Sequence, residues 1–271
     1  MRLEILKIFY LSISLLVFNL YLLTKLFLFG GVVSEGLYFL NVGQGDSSLV
    51  NFSGASILID AGRDVKAANE LDKILPNRHL DIGIITHSDT DHYAGFYELL
   101  KRNSISLLIT NGKKSGDAKY NELLKEAARH NIKVLVLGAG DKIKFKNNFL
   151  TTISPTKNYR DISSDNEGGL VFLGNFNTKK VLFTADIGFP TENLLLQKFD
   201  LANIDILKIG HHGSKKSTGV NFLKTINPHD SIISVGKNSY GHPTKQVLDS
   251  VTSSSAKLWR TDEQGTIKFD F

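Results

Sequence analysis

The feature that most constrains the fold is a strand-like run, residues 81–85, that leads directly into the polar segment Thr86–His92. Four potential metal ligands lie within six residues of this segment: His87, Asp89, Asp91 and His92. Along a regular helix these side chains would point around the axis, whereas in a tight loop at a strand end they can converge on one or two metal ions. Imidazole and carboxylate groups together suit zinc, and paired sites of this kind activate water. The alternative is a polar helix start, with Asp89 or Thr90 capping a helix over residues 93–101.

Composition sets outer limits on the class of protein. The chain has 271 residues, of which 42% are hydrophobic and 22% charged, as in an ordinary globular protein and unlike a disordered one. It has no cysteine, which excludes disulfides and thiolate metal sites and leaves the compartment open. The net charge of +5 falls to +3 without residues 1–34, so charge gives little support for a nucleic-acid partner.

The N-terminal segment predicts a contact with a membrane. Ile8–Thr24 is 17 residues without a charge, and Leu26–Val33 is again uncharged. A membrane span takes about 20 apolar residues, and Lys25 can reach the interface between them. Arg2 and Lys7 precede the run, which favours an N-terminus inside the cell and everything after the run outside.

We therefore divide the chain into residues 1–34, a single-pass membrane anchor that contacts the bilayer through residues 8–33, and residues 35–271, an extracytoplasmic domain. The alternative for the first segment is a signal peptide cleaved at Val32–Ser34, which would make the domain secreted.

From Leu37 onward, short apolar runs alternate with helical patterns. The predicted strands are 37–41, 48–52, 56–59, 81–85, 105–109, 132–136, 143–145, 149–154, 169–174, 180–184, 204–209, 231–235, 257–260 and 266–270. The predicted helices are 65–75, 93–101, 119–130, 191–199, 218–226 and 244–252. Two similar strand-rich halves with helices predict an α+β fold in which two sheets pack face to face with helices outside.

Acids and histidines follow several of these strands. Asp60, His87, Asp186 and His211 each come one to three residues after an apolar run. Such residues can share one site only if a sheet brings its strand ends together, and nothing about a merely stable fold requires them there. Taken alone, Asp186 could be a surface turn residue, and His211–His212 could cap the next element.

Six segments carry a family resemblance in their order along the chain. They are Asn41–Asp46 (N-V-G-Q-G-D), Asp60, His87-x-Asp89-x-Asp91-His92, Asp186, His211–Ser214 and Tyr240–Pro243. Over residues 36–271 the chain resembles the metallo-β-lactamase superfamily and, within it, the extracellular hydrolase domain of ComEC-type DNA-uptake (competence) proteins. The phosphorylcholine esterase branch shares several of these motifs. The resemblance implies a four-layer αββα sandwich.

The resemblance also implies a set of metal ligands. His87 and Asp89 would bind a first metal, and Asp91 and His92 a second. Asp186 would bridge the two, and one residue of the pair His211–His212, by preference His212, would complete the second site. The implied cofactors are two divalent ions, zinc first and manganese as the alternative.

Three further residues would orient these ligands instead of binding metal: Asp46, Asp60 and Asn166. The two glycines of Asn41–Asp46 suggest a phosphate cradle, but a strand-turn-strand context favours a structural turn beside the metal site. No histidine occurs between Asn131 and Gly210, where many relatives supply a third histidine to the first metal. Asp165, Asn166 or a water would take its place, and the oxygen-rich set admits manganese.

Asp91 and His242 are the predicted catalytic residues. In phosphodiesterase members of the superfamily, a C-terminal histidine contacts the phosphate or protonates the leaving oxygen, and a pKa near neutrality suits that work. The expected substrate contacts are Ser214, Lys215, Lys216 and Tyr240. Three more lysines, Lys208, Lys237 and Lys245, cluster in sequence around the same two loops and could help to neutralise a phosphate backbone. The alternatives are a loop histidine in a Gly-Pro turn and a solvated face of lysines.

The resemblance implies a metal-dependent phosphodiesterase or nuclease that acts on DNA, with a role in DNA uptake that would need a separate DNA-channel protein as partner. One alternative is an enzyme for a small or surface-attached phosphodiester, as in phosphorylcholine esterases. The other is a catalytically inactive DNA-binding module, which the missing histidine favours.

Overall fold

The computed structural model describes residues 2–29, 35–75, 79–102 and 104–270. The strands are β1 (Gly36–Phe39), β2 (Ser48–Phe52), β3 (Ala55–Ile59), β4 (Leu80–Ile85), β5 (Ile105–Thr110), β6 (Lys133–Val136), β7 (Lys142–Phe145), β8 (Asn148–Ser154), β9 (Val171–Phe176), β10 (Lys179–Phe183), β11 (Ile206–Lys208), β12 (Asp230–Ile233), β13 (Lys257–Arg260) and β14 (Ile267–Phe269). The helices are α1 (Arg2–Phe29), α2 (Lys66–Ile74), α3 (Thr90–Tyr93), α4 (Phe96–Lys101), α5 (Ala118–Arg129), α6 (Lys157–Ile162), α7 (Phe189–Lys198), α8 (Val220–Ile226), α9 (Lys245–Ser253) and α10 (Thr261–Gln264).

The strands form two mixed seven-stranded sheets, in the orders β14-β1-β2-β3-β4-β5-β6 and β13-β12-β11-β10-β9-β8-β7. In the first sheet β3 to β6 run parallel, and in the second β10 to β13 run parallel. In each parallel set the carboxyl ends of the strands lie at the same edge, and ligands in such sheets bind outside these ends.

Strand side chains alternate between two cores, as the pleat requires. In β3, Ile57 and Ile59 face the second sheet and pack in a core with Phe172 and Phe183. Leu58 faces the other way and packs with α2 and α4. A third core joins the outer face of the second sheet to α7, α8 and α9. The layers are therefore helices, sheet, sheet and helices, and the predicted α+β sandwich is confirmed.

Most predicted elements are present within one or two residues at each end. The exception that matters is helix 93–101, which is two short helices, α3 and α4, separated at Ala94–Gly95. The break follows from a close approach: a Cβ on Gly95 would lie 1.9 Å from the carbonyl oxygen of Ala61. The chain packs α3 against the end of β3 there, which holds the metal-ligand segment in place. Helix α6 was not predicted.

The N-terminal segment forms α1, a helix of 28 residues. Across the part of the chain that the structure describes, no helix combines the length and the apolarity that a membrane crossing requires. The transmembrane helix predicted to precede the sandwich is therefore not confirmed. The proposed cleavage site, residues 32–34, lies outside the described residues.

Candidate metal centre

The site lies where the parallel strands of both sheets end. Asp60 follows β3, His87 follows β4, Asp186 follows β10, and the pair His211–His212 follows β11. Backbone hydrogen bonds join these ends: Asp60 N donates to Ile84 O (2.8 Å) and His211 N donates to Ala185 O (3.1 Å). The halves meet where Leu170 N donates to Thr86 O (3.0 Å) and where His92 Nε2 lies 3.3 Å from Asp186 Oδ2. Both halves therefore contribute to one rim, as the sequence pattern predicted.

Several of these turns have an unfavourable backbone. Asp60, Ala185, His211 and His212 all have φ values between 48° and 59°, in the left-handed region that non-glycine residues rarely occupy. Such conformations cost free energy and persist where the surrounding structure imposes them, commonly at functional sites. Their concentration at the ends of β3, β10 and β11 indicates that ligand direction, not stability, determines these turns.

Asp60 fixes the orientation of two histidines. Its Oδ1 accepts the backbone N–H of Thr86 (2.8 Å), and its Oδ2 lies 2.8 Å from both Thr86 Oγ1 and His92 Nδ1. A carboxylate only accepts, so the Thr86 hydroxyl and His92 Nδ1 both donate to it. The same hydroxyl then accepts from His87 Nδ1, 3.0 Å away. Both imidazoles are therefore held with Nε2 free, and the predicted orienting role of Asp60 has a contact for each ring.

A backbone carbonyl does the same for His212. His212 Nδ1 lies 2.9 Å from the carbonyl oxygen of Ser234, at the end of β12. Since a carbonyl only accepts, Nδ1 donates and Nε2 is again free. Histidine metal ligands are commonly held in this way through the nitrogen that does not bind the metal.

The free atoms point to a common space. Nε2 of His87, His92 and His212, together with Oδ1 of Asp186, are buried and have no hydrogen-bond partner. Buried polar atoms are normally paired, so four unpaired ones in one place indicate a ligand. We call these four residues, His87, His92, Asp186 and His212, the buried cluster.

The spacings within the buried cluster fit a divalent cation. Asp186 Oδ2 lies 3.3 Å from His92 Nε2 and 3.6 Å from His212 Nε2, and His212 Nε2 lies 3.4 Å from Asp91 Oδ2. Tetrahedral ligands bound at 2.0–2.2 Å are separated by about 3.3–3.6 Å. Two overlapping ligand sets are present: His87, His92 and Asp186, and Asp91, His92 and His212. Asp186 also lies between the sets, which fits its predicted bridging role.

The protonation behaviour of the buried cluster reflects its acids. Burial lowers the pKa of His212, but the carboxylates of Asp186 and Asp46 outweigh it and raise that pKa to about 10. Burial raises the pKa of Asp91, but the adjacent imidazole of His212 and that of His92 lower it to about 2. The cluster thus prefers bound positive charge, which a divalent cation supplies as well as protons do.

The segment Thr86–His92 is part loop and part helix. His87 and Asp89 lie in the loop, whereas Asp91 and His92 belong to α3, which corrects the expectation of four loop ligands. Asp89 occupies the N-cap position of α3, yet its side chain makes no cap hydrogen bond. Its Oδ2 lies 3.5 Å from His87 Nε2, and the proximity of that imidazole lowers the pKa of Asp89. Asp89 is therefore directed at the predicted first site.

The Asn41–Asp46 motif has a structural role. A Cβ on Gly45 would lie 2.4 Å from the carbonyl oxygen of Asp91, and Asp46 N donates to that oxygen (3.1 Å). The motif therefore packs against the metal-ligand segment, as the structural interpretation predicted, and does not cradle a phosphate. The Asp46 carboxylate pairs with Lys208, whose Nζ lies 2.8 Å from Oδ1. Sequence reasoning placed Lys208 among substrate-facing lysines, but it is buried.

The residues proposed to replace the missing histidine behave differently. Asp165 Oδ2 accepts the Ser88 hydroxyl at 3.0 Å, so Asp165 contacts the metal-ligand segment. The loop of Asn166 passes close to the first site, because Gly169, whose N–H bonds to Asn166 O at 3.0 Å, lies beside His87. The structure gives the Asn166 side chain no contact with a ligand, so Asp165 is the better-placed oxygen donor.

Outside the buried cluster lies an open rim. It consists of the rings of His211, His242 and Tyr240 and of the turn after the histidine pair, which carries the exposed Lys215 and Lys216. The His242 ring lies 5.6 Å from the His211 ring and 5.8 Å from the Tyr240 ring, measured between centroids. Nδ1 of His242 is buried and unpaired. His211 Nε2 lies 3.7 Å from Asp186 Oδ2, on the side nearer the rim. Of the histidine pair, His212 is thus the member that belongs to the buried cluster.

The predicted substrate contacts divide into two groups. Tyr240, Lys215 and Lys216 are exposed. Ser214 is buried, and its hydroxyl accepts the backbone N–H of Lys216 at 3.3 Å. The expectation that Ser214 contacts substrate is therefore corrected, because the hydroxyl stabilises the turn after the histidine pair.

A groove of about 410 Å³ opens beside the metal ligands. Its lining includes Asp89, Asp91, Asp117, Asp165, Tyr240 and Arg63. Arg63 was not predicted, although its position after the Asp60-Ala61-Gly62 turn was a usable signal. That turn is tied to the ligand segment, since Ala61 N donates to His92 O (2.8 Å) and Gly95 N donates to Gly62 O (2.9 Å).

A two-sheet sandwich with a histidine and aspartate metal centre at one rim defines the class of this protein. The sequence matches the family model of the metallo-beta-lactamase superfamily over residues 40–237, and the chain belongs to that superfamily. It is a metallo-β-lactamase-fold hydrolase related to competence proteins.

Two curated relatives are informative. ComE operon protein 3 of Bacillus subtilis is 30% identical over 268 residues, covering 91% of this chain and 34% of the relative. Recombination protein 2 of Haemophilus influenzae is 27% identical and covers 86% of this chain and 28% of the relative. The chain thus spans about a third of the length of these proteins.

Among solved structures, the β-hydroxylase CmlA of Streptomyces venezuelae, described as a diiron enzyme, superposes with a TM-score of 0.60 at 14% identity, covering 88% of this chain and 54% of CmlA. This similarity shows the fold alone.

Proposed function

We propose that this protein is an extracytoplasmic, metal-dependent phosphodiesterase that cleaves DNA. The observation that carries the proposal is the set of unpaired Nε2 and carboxylate atoms of the buried cluster, which lies beside a histidine and two exposed lysines on the open rim. Support for DNA as substrate comes from the similarity to proteins named for competence and recombination.

The residues of the two regions would have different tasks. His87, His92 and His212, with Asp89, Asp91 and Asp186, would hold two divalent ions, zinc by preference and manganese as the alternative. Bound ions of this kind activate water and neutralise charge on a phosphate oxygen. Asp60, through Thr86, would keep His87 and His92 in the tautomer that presents Nε2.

His242 would serve the leaving group. Burial lowers the pKa of His242, and the neighbouring His211 lowers it further. An imidazole beside the substrate can contact the phosphate, and it can take up the proton that the attacking water releases and pass it to the leaving oxygen. Arg63, in the groove beside Asp89 and Asp91, adds a guanidinium suited to phosphate oxygens.

A second candidate has its own observation. The groove lining holds four carboxylates, those of Asp89, Asp91, Asp117 and Asp165, and the exposed ring of Tyr240. Aromatic and acidic side chains together suit a quaternary ammonium group. The alternative substrate is therefore a small or surface-attached phosphodiester with a cationic head group, such as a choline phosphate ester.

The cellular setting is part of the proposal. The uncharged run over residues 8–33, preceded by Arg2 and Lys7, supports attachment to the cell membrane with the catalytic domain outside, or secretion if residues 1–34 are removed. Large apolar side chains of α1, such as Leu16 and Phe18, are exposed, as a membrane contact would require. A role in DNA uptake would involve a separate DNA-channel protein.

The test is to assay the full chain on DNA and on two small phosphodiesters, one with and one without a choline head group, with added zinc or manganese. Metal-dependent DNA cleavage at modest salt supports the main proposal. Hydrolysis of the choline ester alone, with intact DNA, favours the second candidate. DNA binding without hydrolysis of any substrate would overturn both and leave a binding module.

A further inference from the structure

Lys208 is buried behind the metal centre. It is the last residue of β11 and only 2% of it is exposed, which makes it the one lysine among the buried residues that the structure describes. Lysine is almost never fully buried without a partner. The partner here is Asp46: Lys208 Nζ lies 2.8 Å from Oδ1 and 2.9 Å from Oδ2, and also donates to the carbonyl oxygen of Ile209 (2.9 Å).

Asp46 lies against a ligand of the buried cluster. Its Oδ1 is 3.6 Å from Nδ1 of His212, the nitrogen that donates to Ser234 O. Ligand atoms of Asp46, Asp186 and His212 lie within 4.8 Å of one another, a spacing that could itself hold a cation. An unpaired Asp46 would therefore compete with Asp186 as a carboxylate ligand and add one negative charge to the site.

We propose that Lys208 is a positioning residue that sets the charge of the metal centre. By pairing with Asp46, it keeps this carboxylate behind His212 and leaves Asp186 and Asp91 to face the cations. The pair joins residues 162 positions apart, one from each half of the chain, so it also fixes the distance between the halves at the site. The inference rests on metal binding by the proposed site and not on the substrate.

Replacing Lys208 by Met keeps the length of the side chain and removes its charge. The metal-free protein then holds an uncompensated buried anion, which is strongly destabilising. A cation bound nearby would compensate that anion, so metal affinity should rise. The two effects have opposite signs: a lower melting temperature without metal, and divalent binding on the order of ten-fold tighter or more. A merely structural role would weaken or not change metal affinity.

The experiment uses the full chain and measures the zinc dissociation constant by chelator competition and the melting temperature of metal-free protein. Lys208→Met should show both effects, and Lys208→Arg, which keeps the charge, should bind zinc nearly as the wild type does. The matched control is Lys179→Met. Lys179 also pairs with an aspartate of the second sheet, Asp205 at 2.7 Å, but on the surface, and its loss should change neither quantity appreciably.

The double variant Lys208→Met with Asp46→Asn covers the case in which Lys208→Met does not fold without metal. It removes both charges, so its zinc affinity should return to within a few-fold of the wild type. Two outcomes would overturn the inference alone: a zinc affinity of Lys208→Met that equals that of the wild type, or a zinc affinity of the double variant that stays raised. A wild-type protein that binds no divalent metal would overturn both the inference and the proposed function.

Discussion

The buried cluster and the open rim both contain histidines, but what surrounds these histidines differs. In the buried cluster, each imidazole has one nitrogen committed to Asp60, Thr86 or the Ser234 carbonyl, so the other nitrogen has one direction only. On the open rim, His242 has a buried, unpaired Nδ1 and aromatic neighbours instead of a carboxylate. The difference fits the proposed function, in which the buried cluster would retain cations and the open rim would act on the substrate.

Among the substitutions that distinguish the two regions, His242→Gln is expected to have the largest effect on activity. If the ring exchanges a proton with the leaving group, kcat should fall by about 10²–10⁴ while bound metal is unchanged. Steady-state kinetics and metal analysis of the same sample measure both. His229→Gln, at an exposed histidine that pairs with Asp230, is the control. Loss of metal in His242→Gln would place this residue in the buried cluster and contradict the division.

Asp60→Asn tests how the histidines of the buried cluster are oriented. The amide has one acceptor oxygen where the carboxylate has two, so it cannot accept from Thr86 N at one position and from Thr86 Oγ1 and His92 Nδ1 at the other. The tautomers of His87 and His92 are then no longer fixed. Metal affinity should fall about 10–100-fold, as for other residues that orient metal ligands. Titration with zinc against a chelator measures this fall.

Asp64→Asn is the matched control for Asp60→Asn, because Asp64 is an exposed acid of the same turn whose Oδ1 accepts the N–H of Lys66 (2.9 Å). Equal zinc affinity of Asp60→Asn and wild type would show that the histidines are oriented by other contacts.

The exposed lysines of the open rim should matter least for chemistry. Lys215→Ala combined with Lys216→Ala should raise KM for DNA a few-fold at low salt, with little change in kcat or in bound metal, and the salt dependence should become shallower. The control replaces Lys101 and Lys125, which are exposed on helices α4 and α5. If KM depends on salt as it does in the wild type, these lysines do not contact the DNA.

A buried acid outside the site gives a prediction for stability alone. Burial raises the pKa of Glu192 to about 7, although the N–H groups of Gly219 and Thr218 bond to it. Because the folded pKa lies above the unfolded value of about 4.5, its stabilising contribution is complete below pH 4.5 and is lost as the pH rises to about 7. The loss is about 3 kcal/mol of unfolding free energy.

Glu192→Gln cannot titrate, so its unfolding free energy should vary less across this pH range than that of the wild type. Denaturant melts at several pH values measure the difference, with Glu122→Gln on α5 as control. Parallel curves of unfolding free energy against pH for Glu192→Gln and wild type would contradict the prediction. Activity should not change, because Glu192 lies outside the site.

Much of the fold could be predicted from the sequence because strands and helices here follow hydrophobic periodicity. The β2 strand, for example, begins and ends where its pattern predicts, at Ser48 and Phe52. The split between α3 and α4 could not be predicted, since it depends on the contact of Gly95 with Ala61, which belongs to a distant strand end.

The site shows the same contrast. His87, Asp186 and the pair His211–His212 could be predicted because they follow apolar runs, and His92 because it belongs to the same ligand-rich segment as His87. Lys208 was predicted to lie among surface lysines, but it is buried. A lysine in a short strand looks solvated until its partner Asp46, 162 residues away, is seen beside it. Arg63 was missed for a similar reason: only the folded turn brings it into the groove with Asp91.

The central claim, that the buried cluster holds two divalent cations, is tested most directly by the metal content of wild type and Asp186→Asn after equilibration with zinc. We expect close to two ions per wild-type chain, and loss of at least one from the variant together with loss of hydrolysis, because Asp186 lies between both ligand sets. Two tightly held ions in Asp186→Asn, or none in the wild type, would contradict the account.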